Sequence, residues 1–321
     1  MSDVIGKAET FLKRGDVQGA ANFLKQAEEG GDALAARELA SWCLSGQYVR
    51  RDLCASRSFF ERAAELGDHY SKEVTRAFVA GGVGGPADWG RAMLLLRGAA
   101  TNDPRAAAQL TLIEQMQLDP SGQPRGAFAR EIVCEDPSVI LFRGLFTEAE
   151  CAYLVDVGTP ALRPSVIVDP ATGRQIPNPI RTSTAMAFPF VDENPAVHAL
   201  NRRLATASGT DVRQGEPLQV LRYASGEQYR QHSDALPGVA PSQQRVLTFL
   251  VYLNEDYEGG ETEFSQLGLK IRGHIGDGLL FRSASADGTP DPRSVHAGLP
   301  VTSGAKYLAS RWIRATPLVI E

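Results

Sequence analysis

The chain has 321 residues, 43% hydrophobic and 22% charged, the composition of a folded soluble protein long enough for two domains. Lysine and arginine number 33 against 38 acids, a formal net charge of -5, so no basic surplus is on hand to neutralise a phosphate backbone and nucleic acid is not an expected partner. The opening MSDVIGKAETFLKRGD has no apolar core of a secretion signal, and no apolar run approaches the roughly 20 residues of a membrane span, so no membrane partner is expected. Cys43, Cys54, Cys134 and Cys151 form no C-x-x-C pair; cysteine this sparse fits a reducing cytoplasm and small, partly buried apolar roles.

Residues 1–118 read as helix, rich in Ala, Leu, Arg and Glu at helical spacing. They also repeat. Asp16, Asp52 and Asp88 lie 36 apart, as do Ala27, Ala63 and Ala99, and Phe23, Phe59 and Leu95; Gly46 matches Gly82. Such a period predicts stacked helix pairs, each burying its apolar face on the next. The stretches GQYVRRDLCASRSFFERAAELGD and GGVGGPADWGRAMLLLRGAATND resemble Sel1-like repeats, relatives of the tetratricopeptide repeats. The resemblance implies a concave surface that holds a protein; the plainer alternative is an ordinary helical bundle.

The run DPSGQPRG, Asp119–Gly126, breaks both periods and opens a linker over 119–128. In TEAECAYLVDVG, Thr147 followed by Glu150 is a capping-box pattern at a helix start. Farther on the grammar is strand and turn: PLQVLRY, EQYRQHSD, RVLTFLVYLN, GETEFS, LKIRGHI, GLLFRS, VHAGLPV and AKYLASRWIR. Eight short strands without intervening helices predict a barrel or jelly roll in a second domain over 129–321.

The chemistry concentrates in three residues. His232 and Asp234 are two apart, so on a strand they face the same side and can offer two ligands to one ion. His296 can supply the third. Two histidines and one carboxylate on one face of an octahedron leave positions open, the donor set of non-haem Fe(II) oxygenases; a closed zinc site would want four ligands, usually with cysteine, and none is near. H-x-D alone arises often by chance, so its companions matter. In SGAKYLASRWIR the alternation puts Lys306, Leu308, Ser310, Trp312 and Arg314 on one face. If that face is interior, a buried ammonium needs an anion, and the distal carboxylate of 2-oxoglutarate is one; the alternative is a surface lysine on an edge strand. In RVLTFLVYLN, Thr248 and Tyr252 share a face of an otherwise apolar strand, where both hydroxyls want partners.

With those residues in place, the region from Ile132 to Leu318 resembles the catalytic domain of prolyl 4-hydroxylases. The resemblance is carried by EPLQVLRYASGEQYRQHSD, RVLTFLVYLNEDYEGGETEF, GDGLLF, DGTPDPRSVHAG and PVTSGAKYLASRWIR, with ILFRGLFTEAECAYL and IRTSTA upstream. It implies a double-stranded β-helix with flanking helices, Fe(II) on His232, Asp234 and His296, and O2 and 2-oxoglutarate as cosubstrates. Lys306 would pair with the distal carboxylate, Thr248 and Tyr252 would lie beside it, Tyr223 would line the pocket and Trp312 would close it. Arg181, Ser183, Glu216 and Arg314 would lie near substrate, and ascorbate would serve as reductant. The pattern departs at Ser265, where the family usually has proline, at Tyr307, where tryptophan is frequent after the lysine, and at Arg314, where several members have histidine.

The function so implied is hydroxylation of a C–H bond, foremost that of a prolyl residue in a protein or peptide docked on the helical repeats, with release of succinate and CO2. Two alternatives stand beside it: a sister oxygenase acting on a free amino acid, small peptide or other side chain, and a non-catalytic repeat adaptor. The segment from Leu162 to Ser183, with DPATG and PNP, and the loop ALPGVAPSQQ after Asp234 are candidate lids.

Overall fold

The structure, a computed structural model, describes residues 3–168, 175–285 and 287–318. Its first part is helical: α1 (Asp3–Lys13), α2 (Val17–Glu29), α3 (Ala33–Ser45), α4 (Leu53–Glu65), α5 (His69–Gly81), α6 (Trp89–Ala100) and α7 (Pro104–Gln115). The sequence repeat has a direct physical reading. Asp16, Asp52 and Asp88 are the N-caps of α2, α4 and α6, each carboxylate accepting from a first-turn backbone N–H. Asp32, Asp68 and Asp103 cap α3, α5 and α7 in the same way. Gly46 and Gly82 end α3 and α5 in the left-handed conformation, at φ 69° and 76°, where a side chain would be strained. The helices bury one cluster around Leu24, Leu39 and Trp42 and a second around Leu53, Phe60, Val74 and Phe78.

The chain divides into two compact units. The first runs to Gln123 and also takes Pro189–Leu200; the second holds Pro124–Phe188 and Asn201–Leu318. This departs from an uninterrupted second domain over 129–321. Phe190 and Val191 pack on the Phe60 and Phe78 cluster of the first unit, a return of the chain that no local signal announces.

The second unit is built on strands β1 (Arg130–Cys134), β2 (Val139–Phe142), β3 (Arg163–Pro164), β4 (Val166–Val168), β5 (Gln175–Pro177), β6 (Thr184–Ala187), β7 (Gln219–Ala224), β8 (Tyr229–His232), β9 (Arg245–Tyr252), β10 (Tyr257–Gly259), β11 (Thr262–Phe264), β12 (Leu269–Ile271), β13 (Gly278–Arg282), β14 (His296–Gly298) and β15 (Val301–Arg314). Two helices accompany them, α8 (Glu148–Gly158) and α9 (Pro195–Ser208), and the division between the units falls inside α9. Thr147 and Glu150 close the capping box of α8.

The large antiparallel sheet runs β1-β2-β13-β9-β15-β7-β6-β3, with β10 on β15; the smaller runs β12-β11-β14-β8. Leu221, Tyr223, Leu250, Tyr252, Leu279, Phe281 and Leu308 of the large sheet share one core with Phe264 and Ile271 of the small one. That is a jelly roll, two sheets closed over a common interior. The expected lid over Leu162–Ser183 has its arms in β4 and β5, an antiparallel pair; its DPATG tip lies outside the described residues. No described helix is long and apolar enough to cross a membrane.

Candidate active site

The strand register brings the two histidines together. β8 and β14 pair antiparallel with His296 directly opposite His232. Asp234 follows β8 by two residues and turns inward. His232 Nε2 lies 3.7 Å from Asp234 Oδ1, and His296 Nε2 lies 3.7 Å from Asp234 Oδ2. Atoms from all three residues fall within 4.8 Å of one another, a spacing that one ion can bridge.

Each ring is also oriented. His232 Nδ1 lies 2.8 Å from the Arg230 carbonyl and His296 Nδ1 lies 3.1 Å from the Ser294 carbonyl. A carbonyl can only accept, so each Nδ1 carries the proton and each Nε2 presents its lone pair inward, the tautomer a metal ligand needs. Burial, reinforced by His296, pulls His232 down to about 4, so its ring is neutral near pH 7. Burial alone would raise Asp234; His296, His232 and hydrogen bonds from Thr248 and Trp312 outweigh it and hold the carboxyl below its usual range. Two imidazole nitrogens and an ionised carboxylate converge, a donor set that fits a divalent cation.

Thr248 is found elsewhere than the sequence reading put it. It does not line the cavity beside the triad; its hydroxyl donates to Asp234 Oδ2 at 2.7 Å. Trp312 sits across from it in the β9–β15 register and reaches the same carboxylate. Alternation assigned Thr248 a face, and the metal ligand, not the cosubstrate, proves to be its partner on that face.

The cavity is lined by Tyr223, His232, Thr262, His296 and Lys306 with Leu221, Leu250 and Leu308. Lys306 projects inward from β15, opposite Tyr223 of β7, and is 2% exposed. Its ammonium donates to the Gly260 carbonyl at 2.5 Å and otherwise faces the rings of Tyr223, Tyr252 and Tyr257 at 6.0, 5.4 and 6.0 Å. No carboxylate pairs with it among the described residues. Burial lowers its pKa to about 7, and Glu261 only partly opposes the fall. A buried cation with one hydrogen bond, beside an ion site, fits an anionic cosubstrate. Tyr252 is behind the lysine; its hydroxyl is occupied by Thr262 and the Ile271 carbonyl.

The remaining predicted residues form two groups. Arg181 and Ser183 lie against Tyr223: Arg181 Nε donates to Ser183 Oγ at 3.1 Å, both lower a Tyr223 hydroxyl that burial raises more strongly, and Arg181 Nη2 is buried without an acceptor. Glu216 and Arg314 belong to a closed ion cluster. Arg245 grips Glu216 at 2.6 and 2.7 Å, and Arg314 Nε reaches the same carboxylate at 2.6 Å. The Arg245 guanidinium lies 3.7 Å over the Trp312 ring. Sequence reasoning missed Arg245, the Gly260 carbonyl and Tyr229, which stacks on His232 with ring centroids 3.4 Å apart. For Tyr229 a signal existed, an aromatic beside the H-x-D ligands on the same short strand. For Arg245 and Gly260 there was none, because their partners are distant in sequence.

Residues 218–314 match the model of the 2OG-Fe(II) oxygenase superfamily, a span that contains all three candidate ligands and Lys306. Prolyl 4-hydroxylase 1 of Arabidopsis thaliana is 35% identical over 201 residues, covering 57% of this chain and 71% of that protein. A viral collagen prolyl hydroxylase from Paramecium Bursaria Chlorella virus-1, solved as its 2OG complex, is 28% identical over 57% of this chain and 99% of its own, with a TM-score of 0.46. A Sel1 repeat protein from Oxalobacter formigenes is 25% identical over 34% of this chain and 88% of its own, with a TM-score of 0.30. With the ligand register, the buried lysine and this span of identity in agreement, the chain belongs to the prolyl 4-hydroxylase family of 2OG-Fe(II) oxygenases, with helical repeats preceding the catalytic fold.

Proposed function

We propose that this chain hydroxylates prolyl residues of a protein or peptide, with Fe(II) held by His232, Asp234 and His296 and 2-oxoglutarate held at its distal carboxylate by Lys306. The observation that carries the reading is Lys306: a wholly buried ammonium without a carboxylate, in the same cavity as the two Nε2 lone pairs. Bound iron with 2-oxoglutarate and O2 supplies the oxidation that converts a substrate C–H to C–OH, one oxygen atom leaving in succinate as CO2 is released.

The chain's own residues position and shield. The Arg230 and Ser294 carbonyls fix the two imidazoles, and Thr248 and Trp312 fix the Asp234 carboxylate. The leucines and tyrosines around Lys306 exclude water, so its charge acts in a medium of low polarity. Arg181 Nη2, buried and lacking an acceptor beside Tyr223, would donate to a substrate carbonyl, with Ser183 holding the guanidinium. Glu216 and Arg314 satisfy each other and Arg245, so in this reading they brace Trp312 instead of gripping substrate. Ascorbate as outside reductant and a cytoplasmic location belong to the same proposal; the four cysteines are all free, in keeping with a reducing compartment.

The test is turnover of proline-rich peptides with Fe(II) and 2-oxoglutarate, read as succinate release together with a 16 Da gain (one oxygen atom) mapped to proline by fragmentation. Succinate release coupled only to a free amino acid, or a gain on another residue, would replace this reading with the sister oxygenase. Sustained turnover without ascorbate over many cycles would remove the reductant from it.

A further inference from the structure

The repeat in the helical unit supplies its own control. Between α2, α3 and α4 the cleft is closed: Arg62 reaches across to Glu28 at 3.2 Å, Phe59 packs inward, and the floor is Ala36, Leu39 and Ala40, all buried. One period later, between α4, α5 and α6, the corresponding residues are Gly98, Ala64, Leu95, Lys72, Thr75 and Arg76. The closing ion pair has become two small residues, and the apolar floor has become polar and cationic. The result is an open cleft. A side chain added at Gly98 would meet nothing within 4 Å, so this position can take a larger residue.

The polar floor keeps hydrogen-bonding capacity in reserve. Arg76 is 4% exposed, and its nearest carboxylate oxygen, on Asp103, is 3.8 Å away, beyond hydrogen-bonding distance. Thr75 is 5% exposed and its hydroxyl has no partner. Burial lowers the Arg76 pKa and the neighbouring Glu73 and Asp103 restore only part of it. Of the acids that line the cleft, Glu61 is engaged by Arg57 and Arg91, and Glu65 is exposed with Arg62 3.6 Å away. Lys72 stands exposed at the rim without an ion pair among the described residues. Arg76 lines the cleft with its Asp103 partner 3.8 Å away, so its guanidinium keeps donors available to a second anion. The walls, Ala64, Leu95, Gly98 and Ala99, are small and apolar and would accept a slender chain.

We propose that the cleft between α4, α5 and α6 is a docking site for an acidic segment of a protein partner, an extended peptide whose Asp or Glu carboxylate enters to meet Arg76 and Thr75, with Lys72 at the rim. The proposal rests on the protein-substrate reading only in taking the ligand to be a polypeptide. In the preceding repeat the Arg62–Glu28 pair spans the positions that Gly98 and Ala64 leave open here.

Fluorescence anisotropy on the full chain tests this with two labelled pools of short peptides, one randomised around a fixed glutamate and one around a fixed glutamine. The glutamate pool should bind about tenfold more tightly, the scale of a hydrogen-bonded charge. The preference should vanish in Arg76→Met, which replaces the buried cation with an apolar chain of similar length. It should also vanish in the double variant Ala64→Glu, Gly98→Arg, which installs the closing pair of the preceding repeat without touching the floor; unchanged thermal melting of that variant shows that the fold is kept. Equal binding of the two pools, binding of neither, or retention of the preference in the folded double variant would overturn the proposal. Peptidyl-proline turnover measured on the same preparations separates the two readings: turnover without a carboxylate preference removes the cleft alone, and a preference without prolyl turnover removes the substrate alone.

Discussion

Among the described residues two places gather histidine and carboxylate groups at metal-binding spacing, and only one of them is built as a site. His232, Asp234 and His296 bring ligand atoms within 4.8 Å of one another, and so do His69, Glu73 and Asp103 in the helical unit. What separates them is the layer behind the ligands. In the first cluster both imidazole Nδ1 atoms are tied to backbone carbonyls, and the carboxylate is tied to Thr248 and Trp312. In the second, the His69 side chain is 69% exposed and the Arg76 guanidinium stands 3.8 Å from Asp103. Ligand spacing is common in proteins; ligands whose alternatives have been removed are not.

The comparison breaks first at the ligands themselves. His232→Ala or Asp234→Ala should reduce iron-dependent succinate release to background, because each removes a donor for which no described neighbour substitutes. Anaerobic titration of the variants with Fe(II) and 2-oxoglutarate should show no metal-to-ligand charge-transfer band. Turnover at the wild-type level in either purified variant would remove the triad from the mechanism.

Lys306→Met comes next. It should weaken 2-oxoglutarate binding by about tenfold to a hundredfold, the range of a buried charge-assisted hydrogen bond. The same lysine carries a pH signature. Its folded pKa lies near 7, well below the ordinary lysine value, so in the free enzyme it loses its proton as pH rises through about 7 and cosubstrate affinity should fall there. The unfolded chain keeps that proton up to roughly pH 10.4, so this group makes folding stability rise with pH between those two values. Calorimetric affinities over pH 6–9 in wild type and Lys306→Met check it; equal slopes in the two would discard the assignment. Thr248→Val should leave the fold intact and cost about tenfold to a hundredfold in iron affinity, since it releases one oxygen of the Asp234 carboxylate. If it instead alters only the affinity for 2-oxoglutarate, the threonine belongs beside the cosubstrate after all.

How much of this was legible in the sequence differs between the two units for a physical reason. Helix signals are local. An aspartate cap and a left-handed glycine act within a turn of where they stand, so a 36-residue repeat of Asp16, Asp52 and Asp88 could be read directly as structure. Each of the eight anticipated strand segments contains a strand, because alternation is local too. Partners are not local. The sequence put Thr248 on a face but could not say that Asp234 would be the group it met, and it could not pair His232 with His296 across β8 and β14. The return of Pro189–Leu200 to the helical unit was invisible for the same reason. The repeat alignment held one further message that periodicity alone concealed: Gly98, Thr75 and Arg76, three of the positions where it fails, line a cleft.

The smallest expected effect is the sharpest test of the comparison. His69→Ala should leave bound iron and turnover unchanged. In that cluster Glu73 lies 3.9 Å from Nδ1 and Asp103 lies 4.0 Å from Nε2, so the two acids flank opposite nitrogens of one ring. Each acid therefore makes its shortest approach to a different nitrogen, and no one nitrogen is held toward both. Water competes for an exposed ring, and no backbone carbonyl among the described residues holds either nitrogen to choose a tautomer. The positive Arg76 beside Asp103 also opposes a dication. Metal analysis of the wild type after exhaustive dialysis against Fe(II)-containing buffer should therefore give one equivalent, and His69→Ala should give the same. A second equivalent that disappears with His69 would mean that spacing suffices and that the layer behind the ligands is not what makes the catalytic cluster a site.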